Sequence, residues 1–319
     1  MSLRSSRLPN PTAAPFGVSE GVTLDHSGPR RLVTAAGRTL SVFRFPGKGR
    51  AANLLGQMAS RVSTEAYCFP APGAPVAIRL TERIERLMWA SCYERELVAI
   101  LSRILETGMV FLDVGAHIGY FSALAGFLVG TTGQVHSFEA DPDCFQRLAL
   151  NCRMNSSIHV HHAAITDRTG TQVFHRSCWA GESGWGSLFG EGAGRQTLEV
   201  PTTTLEDWWY EEAPWRIDFI KMDVEGAEYR ALCGAAKVLR KARPMLFFEV
   251  NDVCLARDGR THKDVFRLLV QEGYELLGVA SGRARRVENI AAVPCERADW
   301  KEKLLGMRLD LKQIVLKDV

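Results

Sequence analysis

The spacing of apolar positions changes repeatedly along this chain, and the changes mark out strands alternating with helices. Val110–Leu112 is a short apolar run, Tyr120–Val129 a stretch rich in Ala and Leu, and Gln134–Phe138 a second short run. Together they read as strand, tight turn, helix and strand, with Gly115 and Gly119 bracketing the turn. Pro142 suits the first turn of a helix reaching about Met154, with Asp141 as its N-cap. A third strand is expected over Ile158–Ile165. Further on, Ile217–Val224 predicts a central strand, Ala227–Ala242 a helix, Arg243–Val250 a strand and His262–Glu272 a helix, and Tyr274–Val279 and Ala291–Cys295 close the series. Alternation of this kind builds a doubly wound α/β sheet.

Outside that core the pattern is less regular. Leu97, Ile100, Leu101, Ile104 and Leu105 fall three and four apart, which predicts one helix over Ile84–Leu105. Thr39–Phe45 and Val76–Leu80 read as short strands. These features divide the chain into a Pro- and Ser-rich arm (1–30), an accessory segment (31–83), the main domain (84–296) and a helix with a tail (297–319). The accessory segment is either a layer over the ligand crevice or a packing appendage. Residues 171–205 interrupt the alternation: Thr171–Arg176 and Thr197–Val200 suit a hairpin, and the Gly-rich loop between them, which carries Trp179 and Trp185, reads as a substrate lid.

Composition narrows the class. With 319 residues, 46% hydrophobic and 24% charged, the chain holds enough material for a large domain and an appendage. A net charge of +3 makes no case for nucleic acid as a partner, and the basic runs at 237–243 and 283–286 read as solvated faces. Eight cysteines without a C-x-x-C pair read as reduced thiols, hence a cytoplasmic protein. No membrane span or secretion signal is evident in the sequence.

The candidate chemistry gathers at strand ends, where doubly wound sheets bind ligands. Glu139 stands about twenty residues beyond Gly119, the spacing at which a carboxylate takes both hydroxyls of a ribose. The glycine pattern is D-x-G-x-x-x-G with His117 in the middle, so the central glycine that a dinucleotide pyrophosphate needs is missing. Asp113 suits an amino-bearing or cationic ligand better than a diphosphate. S-adenosylmethionine, with an amino group, a sulfonium, a ribose and no phosphate, meets these conditions. Asp167 lies either beside the adenine or in a surface turn. Only His159 and His161 of the histidines in 159–162 share a strand face, and nothing completes a metal set there.

Alternation places Lys221, Asp223 and Glu225 on one side of a buried strand, which is costly unless they pair or meet a ligand. Asp223 or Glu225 is the candidate proton acceptor, and a structural ion pair through Lys221 is the alternative. Glu249 and Asn251 end the next strand. Tyr93 and Glu94 belong to the lead-in helix, Glu94 serving either the crevice or the helix start.

The runs FLDVGAHIGYFS, HSFEADP, AAITDRTGT, IDFIKMDVEGAEYRALCGA and RPMLFFEVN together resemble the FkbM family of S-adenosylmethionine-dependent methyltransferases over about Glu94–Gly278. The resemblance implies a class I methyltransferase (Rossmann-like) α/β fold: seven strands, the last antiparallel, here with a small N-terminal appendage. It implies a cofactor site at Asp113, Gly115, Gly119 and Glu139, with His117 where Asn is frequent and Asp167 near the adenine. Lys221, Asp223 and Glu225 match the family's acidic strand end and would lie near the transferred methyl; Tyr93, Trp179, Trp185, Glu249 and Asn251 are acceptor candidates from their own positions, the tryptophan-rich loop departing from the family pattern. That acceptor is expected to be a hydroxyl of a sugar, polyketide or other specialised metabolite, with a divalent cation as a further possibility. A nicotinamide-dependent oxidoreductase and a nonenzymatic scaffold are the competing readings.

Overall fold

Val110–Val114 is buried along its whole length, as a strand covered on both faces must be. The computed structural model describes residues 28–43, 45–177, 186–189, 195–212, 216–279, 288–307, 309 and 311–314. In chain order the elements are α1 (Gly28–Val42), α2 (Lys48–Ala59), β1 (Glu65–Ala71), β2 (Ala74–Arg79), α3 (Arg83–Trp89), α4 (Arg95–Ile104) and β3 (Val110–Val114). Next come α5 (Tyr120–Val129), β4 (Gln134–Glu139), α6 (Pro142–Cys152), β5 (Ile158–His162), β6 (Ala164–Ile165), β7 (Gly170–Ser177), β8 (Arg195–Thr203) and α7 (Leu205–Glu212). The remainder are β9 (Phe219–Met222), α8 (Glu228–Cys233), α9 (Ala236–Lys241), β10 (Met245–Val250), α10 (Asp252–Leu255), α11 (His262–Gln271), β11 (Tyr274–Val279), β12 (Glu288–Pro294), α12 (Ala298–Leu305) and β13 (Leu311–Ile314).

The main sheet has the order β13-β11-β12-β10-β9-β3-β4-β5. β5, β4, β3, β9 and β10 run parallel, while β12 runs against both β10 and β11. The chain fills one half of the sheet from β3 outward and the other from β9 outward, so the strand order reverses between β3 and β9. A ligand crevice forms at such a reversal. This is the class I methyltransferase fold with its antiparallel seventh strand, corrected in one respect: β13, from the segment expected to be a tail, adds an eighth strand antiparallel to β11.

Successive strand residues serve opposite faces. Phe111, Phe219 and Phe247 enter the core beneath α4, α5 and α12. Leu112, Ile220 and Leu246 enter the core beneath α7, α8, α9 and α11. Asp141 caps α6 as expected, accepting from the N–H groups of Asp143 and Cys144.

Four segmental expectations are corrected. Thr39–Phe45 is no strand: residues through Val42 belong to α1, whose Val33, Gly37 and Leu40 face α3, a Cβ at Gly37 falling 2.1 Å from the Trp89 indole. Tertiary packing here overrides the local β-branched preference. The helix expected over 84–105 breaks into α3 and α4, with Ser91 and Glu94 at positive φ in the joint. The third strand divides too, and β6 leaves the main sheet to join the β7–β8 hairpin in a separate three-stranded sheet. The helix expected over 227–242 breaks at Gly234, where a Cβ would lie 2.1 Å from the Thr166 carbonyl oxygen. Trp179, Trp185 and the basic run 283–286 lie outside the described residues, as does most of the N-terminal arm. Among the described residues no helix is long and apolar enough to cross a membrane.

Candidate active site

The turn after β3 is set by backbone contacts before any side chain enters. The N–H groups of Gly115 and Ala116 donate to the Phe138 carbonyl, and the Asp223 N–H donates to the Val114 carbonyl. Gly115, at φ 77°, brings the turn so near the end of β9 that a Cβ would fall 1.9 Å from the Asp223 carbonyl oxygen. Its glycine is therefore demanded by the neighbouring strand as well as by φ. Gly119 opens α5 at φ 89°, and a Cβ there would meet Leu148 at 2.8 Å. It does not border the cavity.

Above this turn lies a cavity of about 350 Å³. One end carries Glu139, whose Oε2 accepts from the His117 N–H and whose Oε1 accepts from the Asp141 N–H, each at 2.7 Å. Burial raises Glu139 to about 7, the two N–H donors opposing it. Phe138, Ile165, Phe174 and Leu188 supply an apolar wall beside it. His117 also borders the cavity, and burial, reinforced by Arg147 and Lys221, lowers its imidazole to about 4, so it is neutral at physiological pH.

At the other end Glu94, Asp223, Glu225 and Glu249 converge from the α3–α4 joint and the ends of β9 and β10. Burial raises Glu94 and Glu225 to about 8 and Glu249 to about 7, and in each case the Asp223 charge is the next cause. Lys221 opposes the rise at Glu94 and Glu249. Its own Nζ donates to the Gly115 carbonyl at 2.7 Å and stands 3.4 Å from Asp113 and 3.7 Å from Asp223. Burial alone would lower Lys221, but Asp113, Asp223 and Glu94 outweigh it and hold the ammonium above its ordinary value. Lys221 is thus held as a cation between Asp113 and Asp223, the ion-pairing alternative that its strand position offered.

The other sequence candidates sit in different surroundings. Asp113 is fully buried, its carboxylate taken by Lys221 and by the Ser122 hydroxyl at 2.7 Å, and it lies off the cavity wall. Asp167 lies off the wall too, in an ion pair with Arg230 at 2.9 Å. Asn251 borders the cavity but spends its Oδ1 on the Val253 N–H as the cap of α10. Tyr93 borders the cavity with its ring held between Tyr120 and Phe121, each centroid 5.7 Å away.

Ile84 and Met88 of α3 and Phe174 of the hairpin also border the cavity, residues that the sequence alone did not single out. Among the described residues no group of three or more His, Cys, Asp or Glu side chains is arranged to hold a metal ion.

The Methyltransferase FkbM domain matches residues 113–276. The 2-O-methyltransferase NoeI of Sinorhizobium fredii is 31% identical over 178 residues, covering 50% of this chain and 68% of that protein. The structure of Methyltransferase FkbM from Methylobacillus flagellatus KT aligns over 66% of this chain with a TM-score of 0.41 and 16% identity, so the chain spans 52% of that structure's length. The METTL16 MTase domain aligns over 77% of this chain and 80% of its own, with a TM-score of 0.44 and 15% identity.

Proposed function

Because the chain belongs to the FkbM methyltransferase family, we propose that it is an S-adenosylmethionine-dependent O-methyltransferase acting on a hydroxyl of a sugar, polyketide or similar metabolite. The observation that carries this reading is one cavity with Glu139 at one end and four convergent carboxylates at the other. The donor set fits the cofactor. Glu139 is fixed by two N–H groups and has lone pairs left for a vicinal diol, the apolar wall suits a flat heterocycle, and the acidic end suits a sulfonium and an ammonium. When bound, S-adenosylmethionine supplies an electrophilic methyl carbon. Transfer to oxygen, rather than nitrogen or carbon, is supported by the activity in the name of the relative from Sinorhizobium fredii.

The chain's own residues then divide the work. An aliphatic hydroxyl is a poor nucleophile until its proton leaves, so an acceptor must stand within hydrogen-bond reach. Asp223 takes that role: its side chain is 25% exposed, it borders the cavity, and Lys221 fixes its position. Glu94 and Glu225, which burial and the Asp223 charge raise to about 8, border the same end and are placed to hydrogen-bond the acceptor's other oxygens. Tyr93, Tyr120 and Phe121 close the apolar side and keep water from the reacting centre.

Calorimetric titration with S-adenosylhomocysteine, with NADH in parallel, tests the reading. We expect the former alone to bind, and Glu139→Ala to weaken it by about tenfold to a hundredfold, the worth of a hydrogen bond to a charged group. Binding of NADH alone would overturn the proposal, and affinity unchanged in Glu139→Ala would remove Glu139 from the ribose.

A further inference from the structure

Eight of the fifteen exposed large apolar side chains among the described residues fall between residues 32 and 62. The same stretch is charged with one sign: residues 28–64 contain seven Lys and Arg and no Asp or Glu, in a chain whose net charge is only +3. The two properties coincide on the outer face of each helix. On α2 the buried row is Lys48, Ala52 and Gly56, while Leu54 and Met58 lie on the opposite side, 60% and 56% exposed, continued by Val62 and flanked by Arg50 and Arg61. On α1 the buried row is Arg30, Val33 and Gly37, and the outer face carries Arg31, Arg38 and Val42, with Leu32 beside them. A helix on a protein surface ordinarily turns a polar face to water, whereas these outer faces interleave arginine with large aliphatic groups.

Both helices lie against the same side of α3. Gly37 admits Trp89, whose indole N–H donates to the Val33 carbonyl at 3.0 Å, and Gly56 admits Arg86, one turn earlier on α3. Ile84 and Met88 lie on the opposite face of α3 and border the cavity. One short helix therefore separates the basic, apolar surface from the crevice.

We infer that α1 and α2 dock this protein on the surface of an anionic phospholipid bilayer. The chemistry selects that occupant. Exposed Leu, Val, Met and Phe side chains enter the boundary between headgroups and acyl chains, while arginines on the same face meet lipid phosphates. A second copy of the chain would bring two faces of like charge together, which Coulomb repulsion opposes. A nucleic acid would use the arginines and leave the aliphatic groups in water. Docking by this face sets the crevice beside the bilayer, one helix away from it.

Co-sedimentation of the full chain with vesicles tests the inference, using phosphatidylglycerol and phosphatidylcholine in equal parts against phosphatidylcholine alone. The protein should pellet with the anionic vesicles and at least tenfold less with the neutral ones. Arg50→Glu combined with Arg61→Glu should cost about tenfold or more, as expected when two basic residues near a charged surface are reversed. Leu54→Asp combined with Met58→Asp should cost a similar factor. All of these positions are exposed and remote from the cavity, so each double variant should keep the wild-type unfolding midpoint. Failure of the wild-type protein to pellet with anionic vesicles would overturn the inference. So would undiminished binding in both double variants, or a dimer in sedimentation velocity that the Leu54 and Met58 changes dissociate while lipid binding stays absent.

Discussion

The floor of the crevice and its acidic wall are built from the same residue types at the same strand ends, yet they do opposite things. On the floor Asp113 is sealed, with Lys221, Ser122 and, behind Ser122, Ser137 occupying it in a chain of contacts from 2.7 to 3.4 Å. On the wall Asp223 meets the same ammonium at 3.7 Å but remains open to the cavity. One lysine thus joins a carboxylate that holds the sheet together to one that is free to meet a substrate. An acid at the end of a parallel strand is a functional group only if its neighbours leave a side of it unoccupied.

The largest expected effect lies on the floor. Asp113→Ala leaves Lys221 buried with its most enclosed counter-charge removed, and breaking a buried pair in this way costs about 3–5 kcal/mol. Urea unfolding should show that loss. If Asp113→Ala instead unfolds like the wild-type protein and loses only cofactor affinity, Asp113 belongs with the wall.

The wall should answer in the complementary way. Asp223→Asn keeps the shape of the side chain, and because its ion pair with Lys221 is long and partly exposed, the stability cost should stay within about 1 kcal/mol. Turnover, however, should fall by about 10²–10⁴, the usual contribution of a positioned proton acceptor, with S-adenosylhomocysteine affinity retained. Equal loss of affinity and turnover would make Asp223 a binding residue and blur the distinction from Asp113.

The sequence carried the strand ends clearly and their occupancy poorly. The glycine turn, Glu139 and the acids just past β9 were legible because strand, turn and helix each leave a local pattern. That Asp113 faces inward was not, since the cause is Lys221, more than a hundred residues away on β9, and Asp113 and Asp223 read alike as an acid at the end of an apolar strand. Glu94 was half legible. Its residue type suited a helix start, but the positive φ at Ser91 and Glu94 that turns it into the crevice has no signature in C-Y-E-R-E. The eighth strand was missed for a related reason: Leu311–Ile314 is half-exposed and finds its place only against β11.

The smallest expected effect is also the most direct probe of how the wall is charged. Burial, followed by the Asp223 charge, raises Glu94 to about 8, with Lys221 pulling against both. A carboxyl whose folded pKa stands above its unfolded value binds its proton more tightly in the folded state. Its contribution to stability is therefore full below the unfolded value of 4.5 and is lost as pH rises through about 8. The ligand-free protein should accordingly show a falling unfolding midpoint between about pH 5 and about pH 8.5. Glu94→Gln, which cannot ionise, should flatten that slope and unfold roughly 2 °C or more above the wild-type protein at the alkaline end, while matching it at the acid end. Glu225 and Glu249, raised by the same causes, keep part of the slope in the variant. Parallel curves for the two proteins would mean that Glu94 ionises freely and adds its negative charge to the wall at neutral pH.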